Sequence, residues 1–433
     1  MSEREEKGDE PPLALERRDR KESALSCWLG PYHMNREASS VWPAQMWMSG
    51  AVTVQEEGLG SSQGSWTMGM EEEFQVIDPQ TRCLCAGADL LLQQIQPPAG
   101  TTVSSEIQQC QIELATPICQ TLSELRTALL TARGSLLSAA QKAQLQVAAA
   151  GTHPFSHWKQ QQLTALPRYQ RIALRYQHLA RELVIFGCHV HIGSPSREEA
   201  IEILNRARLW LAPLLALTTN SPFWLGDETG YASFRTLLWG RWPLSGPPEP
   251  FSSVAAYDAL IQSLAAMGSL EDATHLYWDL RLSHRYPTLE FRSQDVCLTV
   301  DEAVMVAGLI RALVQTCWQQ AQERCPSPLV STEVLRMAQW QAARYGLSAD
   351  LLEVSRGRAV RAPDLIEQFL DFVSPALAAQ GAWEEVSSLV QAVLQRGTGA
   401  SRQRAVYQQT QSLEQVVDFL VAETAKGVAM TGR

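Results

Sequence analysis

Residues 69–74 read Gly-Met-Glu-Glu-Glu-Phe. On an extended strand successive side chains face opposite sides, so Glu71, Glu73 and Gln75 share one face while Met70, Phe74 and Val76 share the other. Carboxylates about 7 Å apart on a core strand are costly unless a cation or an arginine neutralises them. The plain alternative is a solvated edge strand. Residues 109–114 repeat the parity, with Gln111 and Glu113 opposite Cys110, Ile112 and Leu114, and Glu106 can join Glu113 across a turn. Gly-Cys-His-Val-His-Ile-Gly at 187–193 sets His189 and His191 opposite Cys188, Val190 and Ile192. A lone histidine is usually a satisfied core residue, whereas two at i, i+2 between glycines are candidates for binding a metal or an anion. The Cys188 thiol reads as core. Thr-Leu-Glu-Phe-Arg at 288–292 puts Glu290 and Arg292 opposite Leu289 and Phe291, and Asp279 and Arg281 share that parity. A carboxylate beside a guanidinium is either a metal ligand next to a phosphate clamp or a surface ion pair worth about 0–1 kcal/mol.

Four strands thus present carboxylates or histidines on a single face. An oxygen-rich ligand set with few histidines and no cysteine favours Mg²⁺ or Mn²⁺ over Zn²⁺. Several such cations beside arginines suit the phosphates of ATP. The chain has no G-x-x-x-x-G-K-[ST] and no G-x-G-x-x-G ahead of a helix, which disfavours P-loop and dinucleotide folds.

These strands need elements to hold them. Residues 67–77 predict a strand closed by Asp78-Pro79, and residues 110–115 a second one stopped by Pro117. Leucines at 122, 125, 129, 136 and 137 predict a helix reaching Val147, with Ser123 and Glu124 near its start. Ser196 caps a long helix to about Thr219, bent by Pro213. Residues 220–251 mix prolines and glycines with many aromatics and read as an ordered, functional loop. Strand character returns over 277–292 with a turn at 284–287. Helices follow at 300–322, 333–345, 364–372, 383–395 and 403–425. The expected class is α+β, with helices on one side of a sheet.

Composition sets the limits. The 433 residues carry 36 basic and 46 acidic side chains, a formal charge of −10, which argues against nucleic acid as a partner. The strongest apolar run, residues 209–217, falls short of the roughly 20 residues that cross a membrane. Nine cysteines without a C-x-x-C pair fit free thiols, and the cytoplasm is the expected location. Residues 1–66 lack a sustained period and are expected to be a flexible leader, with methionines at 46, 48, 68 and 70 allowing a later start. Residues 67–433 are expected to form one catalytic domain.

Six segments in order carry a family resemblance: Gly-x-Glu-x-Glu-Phe at 69–74, Gly-Thr-His-Pro-Phe at 151–155, Gly-Cys-His-Val-His-Ile-Gly at 187–193, Asn-Ser-Pro-Phe-Trp at 220–224, Thr-Gly-Tyr-Ala-Ser-Phe-Arg at 229–235 and Pro-Thr-Leu-Glu-Phe-Arg at 287–292. Together they resemble the type 2 glutamate-cysteine ligases, bacterial carboxylate-amine ligases related to glutamine synthetase. The resemblance continues to Gly-Thr-Gly-Ala-Ser-Arg-Gln-Arg at 397–404. It implies a glutamine-synthetase-like catalytic domain, a curved antiparallel sheet forming a funnel, backed by helices, with a helical C-terminal part.

It further implies Glu71, Glu73 and Glu113 as Mg²⁺ ligands with Glu106 beside them. His189 and Glu290 would hold the cation nearest the transferred phosphate, and Arg292 would bind that phosphate. Arg235 would clamp a substrate carboxylate or the nucleotide, and His191, Arg241 and Arg281 would contact substrate or nucleotide. The implied reaction has ATP phosphorylate the γ-carboxylate of glutamate, after which the amine of cysteine attacks the acyl phosphate to give γ-glutamylcysteine. A closed aromatic loop would keep water out, and Glu290→Gln would abolish turnover with little loss of fold. Partners are expected to be small molecules, with a homo-oligomer left open. Alternatives are another amine acceptor, or a metal-dependent amidohydrolase built on His-x-His, which needs histidines beyond His275 and His284.

Overall fold

A computed structural model of the protein describes residues 66–269 and 275–430. The leader expected at 1–66 lies outside the described residues except for Trp66, which is buried and meets Trp318 edge-on with centroids 5.5 Å apart.

The strands in chain order are β1 (Met68–Ile77), β2 (Thr102–Ser105), β3 (Gln111–Ala115), β4 (Gln146–Ala148), β5 (Gly187–Gly193), β6 (Phe223–Trp224), β7 (Asp227–Glu228), β8 (Leu280–Leu282), β9 (Thr288–Asp295), β10 (Asp350–Glu353) and β11 (Arg358–Arg361). Seven of them form one sheet in the order β2-β3-β1-β5-β9-β8, with β4 pairing β1 beside that path. Every pair in it is antiparallel. Because β1 is hydrogen-bonded on both sides, its carboxylates do not sit on a solvated edge strand.

One face of the sheet is apolar. Met68, Met70, Cys188, Val190, Ile192, Leu289 and Phe291 pack in one core with the helix Val300–Gln322 and with Leu125 and Leu129 of Leu122–Lys142. Phe74, Val76, Ile112 and Leu114 pack in a second core with Leu136, Ala139 and Leu420. Burying such surface, at about 25 cal/mol per Å², is what fixes the sheet on its helices. Glu72 interrupts this apolar face. Its carboxylate, 1 % exposed, receives Arg133 Nε at 3.0 Å and Nη2 at 2.5 Å, and the same guanidinium donates to the carbonyls of Cys297 and Leu298.

Several expected boundaries move. The helix predicted from Leu122 to Val147 is capped by Thr121 and ends at Lys142; Gln144 then adopts a positive φ of 54°, and Val147 belongs to β4. The long helix breaks into Arg197–Ala207 and Leu211–Thr218 around a short 3-10 turn. Pro213 lies in the first turn of the second piece; in an unbroken helix its ring would clash with the carbonyl four residues earlier, so the break comes one turn upstream. The hairpin β10-β11 fills a stretch left unassigned by the sequence pattern. The last predicted helix is two, Gly399–Thr410 and Leu413–Thr424, separated by a left-handed Gln411 and capped by Ser412. Two short helices, Pro167–Tyr176 and Phe234–Trp239, contribute Arg168, Tyr169, Ile172, Arg235 and Trp239 to the wall of a cavity over the sheet's polar face.

Candidate active site

Strand register turns four separate motifs into one surface. Glu73 pairs with Glu113 and Glu113 with Ser104, Glu71 pairs with His189, and His191 pairs with Glu290, which pairs in turn with Arg281. The resulting polar face is the floor of a cavity of about 430 Å³. Glu71, Glu73, Glu106, Glu113, His189, His191, Arg235, Arg281, Glu290 and Arg292 all line it.

Three sets of donor atoms each lie within 4.8 Å of one another: Glu71, Glu113 and His189; Glu71, His191 and Glu290; and Glu73, Glu106 and Glu113. The loop after β2 brings Glu106 to Glu113, as its sequence position allows. His189, however, groups with Glu71 and Glu113, while Glu290 groups with His191, so the expected pairing of His189 with Glu290 is exchanged. Register is the reason, since His191 and Glu290 are direct cross-strand partners.

Charge is unevenly compensated across the floor. His189 Nδ1 lies 2.8 Å from Glu71, and His191 Nε2 lies 3.5 Å from its other oxygen. Burial pushes Glu71 up, but the hydrogen bonds from His189 and His191 outweigh it and hold the carboxyl well below its usual range. Burial and the nearby Arg292 push His189 down to about 4, leaving the neutral imidazole that a metal prefers. Glu290 receives Arg281 Nε at 2.8 Å and Nη2 at 3.0 Å, and also Arg292. Burial opposes its ionisation, yet the two guanidiniums keep it far below the ordinary value.

The opposite holds at the β1-β3 end. Glu73 accepts the Gly187 N–H at 2.6 Å, Glu113 accepts the Ser104 hydroxyl at 3.2 Å, and Glu106 accepts the Ile107 N–H at 3.1 Å. Burial, then the charge of Glu106, pushes Glu73 up to about 7. Burial and its three neighbouring carboxylates push Glu113 well above the usual range, and burial raises Glu106 too. Oxygen donors that repel one another in this way are the donor set a hard divalent cation fits.

The structure moves some expected residues out. Arg241 is absent from the cavity lining: it is substantially exposed and pairs with Glu182 at 2.7 Å, because the turn after Trp239 carries it outward. Asp279 is bonded to Gln339 and His275 is buried beside Tyr277, both off the lining, whereas His284 lies at the cavity wall. The further histidines of an amidohydrolase site are therefore not assembled among the described residues. His153 of the Gly-Thr-His-Pro-Phe segment is structural. Its Nδ1 accepts the N–H groups of Phe155 and Ser156 while Nε2 donates to the Arg82 carbonyl, and burial pushes its pKa down to about 3.

Nor is the aromatic loop a simple lid. Phe223 packs into the core beside Tyr407, and only the later Trp239 and Trp242 reach the cavity, stacked 5.8 Å apart against Tyr277. Arg168, Tyr169 and Tyr277 join that wall without any periodic signal in the sequence to announce them.

Against known families, residues 67–422 match the model of glutamate-cysteine ligase family 2. The chain belongs to this family. A family relative from Rhodopirellula baltica, carrying the provisional name glutamate–cysteine ligase 2, is 39 % identical over 363 residues, covering 83 % of this chain and 96 % of the relative. One from Frankia alni, provisionally named glutamate–cysteine ligase 2-2, is 40 % identical over 378 residues, 84 % of this chain and 98 % of the relative. The fold resembles that of a glutamate–cysteine ligase from Francisella tularensis solved in complex with AMP, with a TM-score of 0.63 at 13 % identity over 83 % of this chain and 88 % of that one. It also resembles a bifunctional glutathione synthetase from Pasteurella multocida, with a TM-score of 0.60 at 16 % identity over 84 % of this chain and 53 % of that one. No helix among the described residues is long and apolar enough to cross a membrane, and their eight cysteines are free.

Proposed function

We propose that the protein is an ATP-dependent carboxylate-amine ligase that joins the γ-carboxylate of glutamate to the amine of cysteine, working on small molecules in the cytoplasm. The observation that carries this reading is the cavity floor, where mutually repelling carboxylates and a neutral imidazole stand beside the buried guanidiniums of Arg235 and Arg281 and the half-buried one of Arg292. Membership of the glutamate-cysteine ligase family supports it.

Glu71, Glu113 and His189 would hold one cation, and Glu73 and Glu106, sharing Glu113, would hold another. Mg²⁺ or Mn²⁺ bound there supplies charge neutralisation and orientation for phosphoryl oxygens. In the reaction the terminal phosphoryl group of ATP passes to the γ-carboxylate oxygen, releasing ADP and leaving an acyl phosphate. The amine then attacks the acyl carbon and phosphate departs. Arg292 and Arg281, aimed by Glu290, present preorganised positive charge where negative charge gathers on the phosphoryl oxygens. Arg235 takes the substrate carboxylate. Trp239, Trp242 and Tyr277 form an apolar wall that keeps water from the acyl phosphate.

The same wall, with Ile107, Ile172 and Leu183, favours as a second reading an amine with a larger apolar body than cysteine. Incubation with Mg-ATP, glutamate and a panel of amines, cysteine included, decides between them by stoichiometric ADP and peptide product. No ADP with any amine refutes the ligase reading.

A further inference from the structure

We propose that Asp295 is a positioning residue for Arg235, acting through Ser221 and Ser233, and that the 397–404 segment braces the same arginine through Asn220. The inference rests on the reading of Arg235 as a substrate clamp.

Asp295 ends β9 and is fully buried. Its Oδ2 accepts the Asn220 N–H and the Ser221 hydroxyl, each at 2.7 Å, and its Oδ1 accepts the Ser233 hydroxyl at 2.8 Å. Both serines hold the backbone around Arg235. Ser221 Oγ accepts the Arg235 N–H at 3.1 Å, and Ser233 caps the helix Phe234–Trp239. One carboxylate therefore fixes where that helix begins and which way its second residue points.

The side chain then enters a notch in the sheet. At Gly187, the cross-strand partner of Asp295, a Cβ would lie 2.3 Å from Arg235 Nη2, so the guanidinium occupies the place of a missing side chain. It donates to the carbonyls of Arg292 at 3.3 Å and Ser293 at 3.4 Å, and stands 4.0 Å from Asp295. Its Nε is buried without a partner, a donor left over in a residue that lines the cavity.

The brace comes from outside. Gln403 Nε2 donates to Asn220 Oδ1 at 2.7 Å and to its carbonyl at 3.1 Å. At Gly399 a Cβ would fall 2.1 Å from Asn220 Oδ1, so only glycine lets the C-terminal helix close on the loop. Thr398 accepts the Thr219 hydroxyl at 3.0 Å, and Arg404 pairs with Glu228 and donates to the Tyr231 carbonyl. None of these C-terminal residues lines the cavity. Their bonds converge on the loop that delivers Arg235.

A double-mutant cycle in kcat/KM, read by ADP release at varied glutamate and at varied ATP, tests this. Arg235→Lys is expected to lose about 100-fold and Asp295→Asn about 10- to 100-fold, with the double variant within about threefold of Arg235→Lys alone. The glutamate KM should rise more than the ATP KM. Losses that multiply overturn the inference while leaving Arg235 as a clamp. An unchanged Arg235→Lys overturns both the clamp and the inference. Ser221→Ala, which deletes one hydroxyl, provides a milder variant should Asp295→Asn fold poorly, with an expected loss of about 10-fold that also vanishes in the Arg235→Lys background. Amide hydrogen exchange over residues 219–236 supplies a readout independent of turnover: it should quicken in Asp295→Asn, and unchanged exchange counts against the proposal.

Discussion

Glu73 makes the metal-free protein sensitive to alkali in a way that one substitution removes. In the unfolded chain its carboxyl titrates near 4.5, and in the folded protein near 7. Below pH 4.5 both states are protonated and the residue costs nothing. Between 4.5 and 7 the folded state keeps a proton that the unfolded state has lost, so each pH unit gained removes about 1.4 kcal/mol of stability. Above 7 the loss is complete, at about 3 kcal/mol, trimmed to about 1–3 kcal/mol by water entering the cavity. Glu73→Gln abolishes the titration while keeping the shape. In the presence of a chelator, the variant and the parent should melt together at pH 4, and the variant should melt higher by about 2–5 °C at pH 8. His153 and His189 titrate with the opposite sign, losing stability as pH falls below 6.5, but they are common to both proteins and cancel in the difference. Saturating Mg²⁺ should reverse the order at pH 8, because the parent gains a ligand that the variant lacks. A melting difference that stays flat from pH 5 to 8 in chelator would refute the reasoning.

Three other outcomes follow from the geometry. Glu72→Gln should cost about 3–5 kcal/mol in denaturant unfolding, since it strands the buried Arg133 charge, and a Glu72→Met, Arg133→Met double variant should recover most of the loss. Glu290→Gln should destabilise the fold by about 2–4 kcal/mol as well as abolish ADP release, because Arg281 and Arg292 both lose their carboxylate; this corrects the expectation of an inactive variant with an intact fold. Arg241→Ala should leave kcat/KM within about twofold, because it lies off the cavity lining and its bond to Glu182 is near the surface.

Much of the site was legible because strand parity is a strict rule. Glu71, Glu73, Glu113, His189, His191, Glu290 and Arg292 all lie on the face that alternation assigns to them. Alternation says nothing about register, so the grouping of His189 with Glu113 and of His191 with Glu290 had to come from the paired strands. Glu72 shows what the same rule leaves out. Parity sends it to the apolar face, and its partner Arg133 sits 61 residues away on a helix whose leucines gave no hint of a buried cation. Helix ends failed where a local event outweighed periodicity, as at the left-handed Gln144 and Gln411. The cavity wall was the least visible part, since Arg168, Tyr169, Trp239, Trp242 and Tyr277 come from separate segments that only tertiary packing unites.

The Glu72 and Arg133 pair also has a statistical consequence. Neither side chain can be exchanged alone without leaving a bare charge in the core, whereas an apolar pair of similar volume is tolerated. In an alignment of relatives, positions 72 and 133 should therefore drift together, either both charged or both apolar. Mixed combinations should be missing even where the sequence between them varies freely.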